Sequence, residues 1–93
     1  MKEYQIRYTD QFIEDVELHK LSGNKAVLKK ISTLIDELRL HPKIGTGKPE
    51  QLLGNYSGFW SRRITLRHRL IYSIDEKIVT VVLISAFSHY GER

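Results

Sequence analysis

The chain has 93 residues, no cysteine and a formal net charge of +4, which bounds it to one domain (1–93) with no disulfide framework and no thiolate chemistry. Leu, Ile, Val and Phe supply 29 of the 93 residues, well above the ~20% below which disorder is expected; no apolar signal region follows Met1-Lys2-Glu3-Tyr4, and no apolar run is long enough to span a bilayer. A soluble, cytoplasmic protein is therefore expected, and its charge is unevenly placed: residues 38–74 hold seven basic side chains and one acid, Glu50, which favours an anionic partner, nucleic acid ahead of an acidic protein.

Tyr4, Ile6 and Tyr8 alternate with Gln5 and Arg7, the period of a short first strand. Thr9 or Asp10 then caps a helix whose early Glu14, Asp15 and Glu17 suit the positive end of its dipole, with Phe12, Ile13 and Val16 as its apolar face. Ser22-Gly23-Asn24 ends it. Val27, Leu28, Ile31, Leu34, Ile35 and Leu38 form the apolar stripe of a second helix, which must stop before Pro42 because His41 is pushed out of the helical region. Lys25, Lys29 and Lys30 sit early on this helix, against its dipole, as a solvated face. A Gly- and Pro-rich loop follows, with a short strand near Gln51-Leu52-Leu53.

Residues 57–72 come next: Ser57-Gly58-Phe59-Trp60-Ser61-Arg62-Arg63-Ile64-Thr65, Leu66-Arg67, then His68-Arg69-Leu70-Ile71-Tyr72. Aromatic and β-branched residues alternating with arginines predict an antiparallel hairpin with one packed and one basic face. Arg63 and Arg69 share a face only across an odd-length connection, such as one that pairs 63 with 69. After a turn at Asp75-Glu76-Lys77, residues 78–87 are apolar on both faces, as befits a central strand. One strand, two helices and further antiparallel strands make an α+β domain with the helices on one face.

Gly45-Thr46-Gly47-Lys48-Pro49 is not a phosphate-binding P-loop: Pro42 stands where its first glycine belongs and Pro49 where Ser or Thr must follow the lysine. Glu50 is more notable, as the lone acid of a basic segment. The four histidines show no metal-ligand spacing, so neither metal nor cofactor is expected. Metal-free RNA cleavage needs a base for the 2′-OH, cations for the phosphoryl oxygens and an acid for the departing 5′-oxygen. The chain offers Glu50 as base, Arg69 and Arg63 as cations, and His89 as acid.

Gly47-Lys48-Pro49-Glu50, the run from Ser57 to Thr65, His68-Arg69-Leu70 and His89-Tyr90 together resemble the YoeB-type toxins of the RelE/ParE superfamily. The resemblance covers nearly the whole chain. It implies a RelE-like fold, an N-terminal strand and two helices on an antiparallel sheet with a basic concave face. It also implies a ribosome-dependent mRNA endonuclease in which Glu50, Arg69 and His89 match the family's base, transition-state arginine and acid. Lys48, Arg62, Arg63 and Tyr90 match substrate contacts. The implied partners are a cognate antitoxin, mRNA in the 30S A site of the ribosome, a homodimer as an option, and operator DNA only through the antitoxin. Leu53, Arg67 and the tail Gly91-Glu92-Arg93 depart from the family pattern. Cations also quench a neighbouring base, so the reaction depends on mRNA held in an attacking geometry, which a ribosome can impose. The alternatives on the same residues are a non-catalytic ParE-like toxin and a basic RNA- or DNA-binding module neutralised by an acidic partner.

Overall fold

A computed structural model describes residues 2–87 of the chain. Strand β1 (Gln5–Tyr8) is followed by helices α1 (Asp10–Leu21) and α2 (Lys25–Leu38), then strands β2 (Glu50–Gln51), β3 (Trp60–Arg63), β4 (Arg69–Asp75) and β5 (Thr80–Ser85). Thr9 is the cap that starts α1: its hydroxyl accepts from the Phe12 amide at 3.1 Å and donates to the Leu83 and Ile84 carbonyls, both at 2.9 Å. Asn24 starts α2 in the same way, accepting from Val27 at 3.2 Å.

The five strands form one sheet in the order β1-β5-β4-β3-β2. Neighbours among β2 to β5 are antiparallel, but β1 runs parallel to β5, with Gln5 beside Thr80 and Tyr8 beside Leu83. The sheet is therefore mixed and not antiparallel throughout. Short connections force antiparallel pairing on β2 through β5. The first strand joins the last across the whole chain, and no hairpin constrains it.

Phe12, Val27, Ile31, Leu34 and Leu38 from the helices pack on Tyr4, Ile64, Leu70, Tyr72, Val81, Leu83 and Ala86. The four buried members of the α2 stripe, at about 1.5–3 kcal/mol each, are enough to hold this helix on the sheet. Helix α1 is less one-sided. Ile13 is 55% exposed, against expectation, and the inward positions belong to Phe12, Asp15 and His19. Asp15 accepts from the Ala86 amide at 2.8 Å and His19 Nε2 donates to the Ala86 carbonyl at 2.9 Å. Helix α1 is thus tied to the exit of β5 by hydrogen bonds where apolar contacts were expected. β5 has a strand on either side, yet only Val81 and Leu83, on the helix face, are fully buried. It also begins at Thr80, because residues 76–79 are a turn whose Lys77 and Ile78 amides bond to Asp75 Oδ1.

Candidate active site

Consecutive residues of a strand point to opposite faces. In β3, Arg62 therefore turns toward the helices and Ser61 and Arg63 toward the open face. Arg63 lies directly opposite Arg69, so residues 64–68 form a connection of odd length and both arginines share the open face. The connection is built on Thr65, whose hydroxyl accepts from the Arg67 and His68 amides at 3.1 and 2.9 Å. Ile64 is buried in the core while Leu66 is exposed.

On the other side of β3, Glu50 in β2 pairs with Ser61. The short strand falls at Glu50–Gln51, slightly before the expected position, which puts the acid itself in the ladder. Arg69 reaches back across β3: its Nη1 lies 3.2 Å from Glu50 Oε1 and 3.4 Å from Ser61 Oγ. The Arg69 side chain is 13% exposed and that of Glu50 55%. A sheltered cation and an accessible acid thus meet on one surface, with Arg63 beside them. Arg63 and Arg69 stand as like charges face to face, an arrangement that costs stability unless an acid compensates. Glu50 is that acid.

The segment before Glu50 is bent tightly. Gly47 has φ 86° and Lys48 φ 52°, and the Arg63 amide donates to the Gly47 carbonyl at 2.6 Å. A Cβ on Gly47 would come within 2.9 Å of the Arg63 carbonyl oxygen, so only glycine fits. Lys48 is exposed two residues ahead of Glu50.

Arg62 does not join the open face. It is fully buried, because the strand's alternation sends it under the sheet, where it meets Glu37 of α2 with Nη1 2.9 Å from Oε1. The substrate-contact role expected for it is therefore not available in this arrangement. Burial pushes the Glu37 carboxyl up, but hydrogen bonds from the Thr46 hydroxyl and amide and the charge of Arg62 outweigh it and hold Glu37 below its ordinary value. Tyr72 is also buried rather than offered for stacking. Its hydroxyl donates to the Pro42 carbonyl at 2.8 Å and accepts from Arg62 Nε at 3.2 Å, and burial raises it above the usual phenol value. Trp60 is half-buried against the same core.

Ser61, Glu37, Thr46, Asp15 and His19 join the structure's polar contacts without being marked in the sequence. One signal was present: two adjacent arginines on a strand cannot share a face, so one of them had to find an acid under the sheet. Nothing in the pattern of α1 marked Asp15 and His19 as inward. His89, Tyr90 and the tail lie outside the described residues. Phe87, two positions before His89, packs its ring on His68 and His19 at centroid distances of 4.6 and 5.0 Å, and His68 precedes Arg69. Among the described residues no three His, Asp or Glu gather as metal ligands, and no helix is long and apolar enough to cross a membrane.

A model of the YoeB-like toxin of bacterial type II toxin-antitoxin systems matches residues 8–90. Toxin YoeB of Escherichia coli (strain K12) is 53% identical over 53 residues, 57% of this chain, and the match spans 63% of that relative's length. Among solved structures, a YoeB/ParE toxin from Agrobacterium tumefaciens superposes with TM-score 0.85 at 32% identity, covering 92% of this chain and 99% of that one. The toxin of a YoeB–YefM complex from Staphylococcus aureus gives 0.79 at 34%, covering 94% and 98%. A YoeB dimer from the same organism gives 0.79 at 34%, covering 95% and 99%.

Proposed function

The chain belongs to the YoeB-like toxins of bacterial type II toxin-antitoxin systems, and from that premise we propose that it is a cytoplasmic, ribosome-dependent endoribonuclease that cuts mRNA in the A site. The observation that carries the proposal is the contact of Arg69 with Glu50 at 3.2 Å on the open face of the sheet. Metal-free cleavage of RNA needs a base and a cation within reach of one phosphate, and this face offers both.

In the proposed mechanism Glu50 takes the proton of the 2′-hydroxyl, whose oxygen attacks the adjacent phosphorus. Arg69, joined by Arg63, stabilises the charge on the phosphoryl oxygens, and His89 protonates the 5′-oxygen as its bond to phosphorus breaks. Lys48 and Tyr90 hold the flanking message. The cyclic phosphate stays on the 5′ fragment and no metal is called for. Because Arg69 is paired with Glu50 in the free chain, a substrate phosphate must draw the guanidinium away before Glu50 can act. That exchange favours a message already held in an attacking geometry, so the reading includes little cleavage of free RNA.

A cognate antitoxin is proposed to cover the same face, and operator DNA is reached only through it. Self-association is a further proposal, drawn from the S. aureus dimer. The test is a ribosome programmed with a message carrying one 2′-deoxy nucleotide on the 5′ side of the scissile bond. Cleavage should stop while ribosome binding persists. Cleavage of the deoxy-bearing message at that same bond would overturn the mechanism, and an intact all-ribose message would favour a non-catalytic toxin.

A further inference from the structure

We propose that Arg62 and Glu37 are the positioning pair of this site: joined beneath the sheet, they hold residues 41–47 in place and thereby set where Lys48 and Glu50 stand relative to Arg69. The inference rests on the reading of Glu50 as the base. It starts from where the loop's polar groups go. Residues 41–46 have no regular structure, so their carbonyls need partners from elsewhere. Those of His41, Ile44 and Thr46 all accept from the Arg62 guanidinium, the last two at 2.8 and 3.3 Å. That of Pro42 accepts from Tyr72, which is itself bonded to Arg62. Glu37 secures the same loop from the helix side, accepting from the Thr46 amide at 2.8 Å and its hydroxyl at 2.6 Å.

The hold is passed on without slack. A Cβ on Gly45 would collide with the Glu37 carboxylate, so the chain lies directly on the ion pair. One residue after Thr46, the Gly47 carbonyl is bonded to the Arg63 amide at 2.6 Å, and three residues later Glu50 enters its pairing with Ser61. Adjacent residues of β3 thus hold the loop in two ways: the Arg62 side chain from beneath the sheet, and the Arg63 backbone amide along the strand edge that also pairs with β2. A device needed for stability alone would not have to gather four carbonyls from the one loop that delivers the proposed base. A reacting group misplaced by ~1 Å can lose about 10²-fold in rate, so loosening this loop should be felt in the chemical step.

The test uses the full chain with Glu37→Gln, which removes the charge but keeps the shape, and Thr46→Val, which removes one hydrogen bond from an exposed position. Two quantities are read: single-turnover cleavage of A-site message over a range of ribosome concentrations, and amide hydrogen exchange at Thr46 and Arg63. The expected result is a folded protein with exchange at both amides faster by about tenfold. The maximal cleavage rate should fall about tenfold for E37Q and about threefold for T46V, with the half-saturating ribosome concentration unchanged. A folded E37Q with the wild-type maximal rate, or a loss confined to half-saturation, would overturn the inference. Should E37Q fail to fold, T46V decides by the same split. If the wild-type chain leaves the message intact, the functional reading fails on its own account, and unchanged exchange at Thr46 and Arg63 in T46V would then overturn the positioning role.

Discussion

Arg62 and Arg63 are neighbours in one strand and have opposite physical situations. Arg62 is enclosed, bonded to a carboxylate, a phenol and three carbonyls. Arg63 stands on the open face across from Arg69. What separates them is one step of the strand's alternation. A run of arginines on a hairpin is therefore not one basic surface, since part of it can serve the core and part can serve a ligand. The helix-covered face uses its charge for internal satisfaction, whereas on the open face the described residues set a cation pair beside the exposed acid Glu50.

Alanine at the two positions should break the comparison most sharply. Arg62→Ala removes one partner of a buried pair and leaves several carbonyls unsatisfied, changes that typically cost about 3–5 kcal/mol. Because the Glu37 side chain keeps 28% exposure, the lower end, about 3 kcal/mol, is expected in chemical denaturation. Arg63→Ala should stay within about 0.5 kcal/mol while weakening cleavage. Equal stability losses at both would dissolve the distinction.

Much of this contrast was legible in the chain. The stripe of α2, the Thr9 cap and the odd connection that sets Arg63 opposite Arg69 follow from period and turn chemistry, which are local. What escaped was long-range. The parallel docking of β1 on β5 leaves no mark in either strand, because no hairpin joins them. The burial of Asp15 and His19 is matched to the backbone of Ala86, which lies just past the end of β5 and far from α1 in sequence. Composition alone groups Arg62 with its neighbours as a surface residue, although alternation separates it from Arg63. On the site side, a short strand is expected near Gln51-Leu52-Leu53, but its start at Glu50 and its pairing with β3, which bring Glu50 to Arg69, are long-range and leave no local mark.

Smaller effects sharpen the picture of how the helices hold the sheet. Thr9→Ala should cost about 1 kcal/mol, within the ~0.5–2 kcal/mol range of lost helix caps, because the hydroxyl that caps α1 also bonds the Leu83 and Ile84 carbonyls. A loss near zero by thermal denaturation would show that this link between α1 and β5 contributes nothing.

Acid titration is the gentlest probe of the enclosed arginine. The Glu37 carboxyl is held below its ordinary value of 4.5, so it binds its proton less readily in the folded chain than in the unfolded one. Its contribution is fully present above that ordinary value and disappears as pH falls through the lowered one. Wild type should melt above Glu37→Gln at neutral pH, and the gap should close on acidification toward and below 4.5. A gap that persists undiminished would place the stabilisation elsewhere.

The central claim is that the open face, and not the enclosed one, carries the chemistry. Its most direct test is single-turnover cleavage of A-site message by Arg69→Ala at saturating ribosome, with melting measured on the same sample. Loss of a charge contact made in the transition state corresponds to about 2.7–4 kcal/mol, or roughly 10²–10³ in rate. The account predicts a loss of that size in a protein whose melting temperature has barely moved. A folded Arg69→Ala variant that cuts the message at the wild-type rate would contradict it.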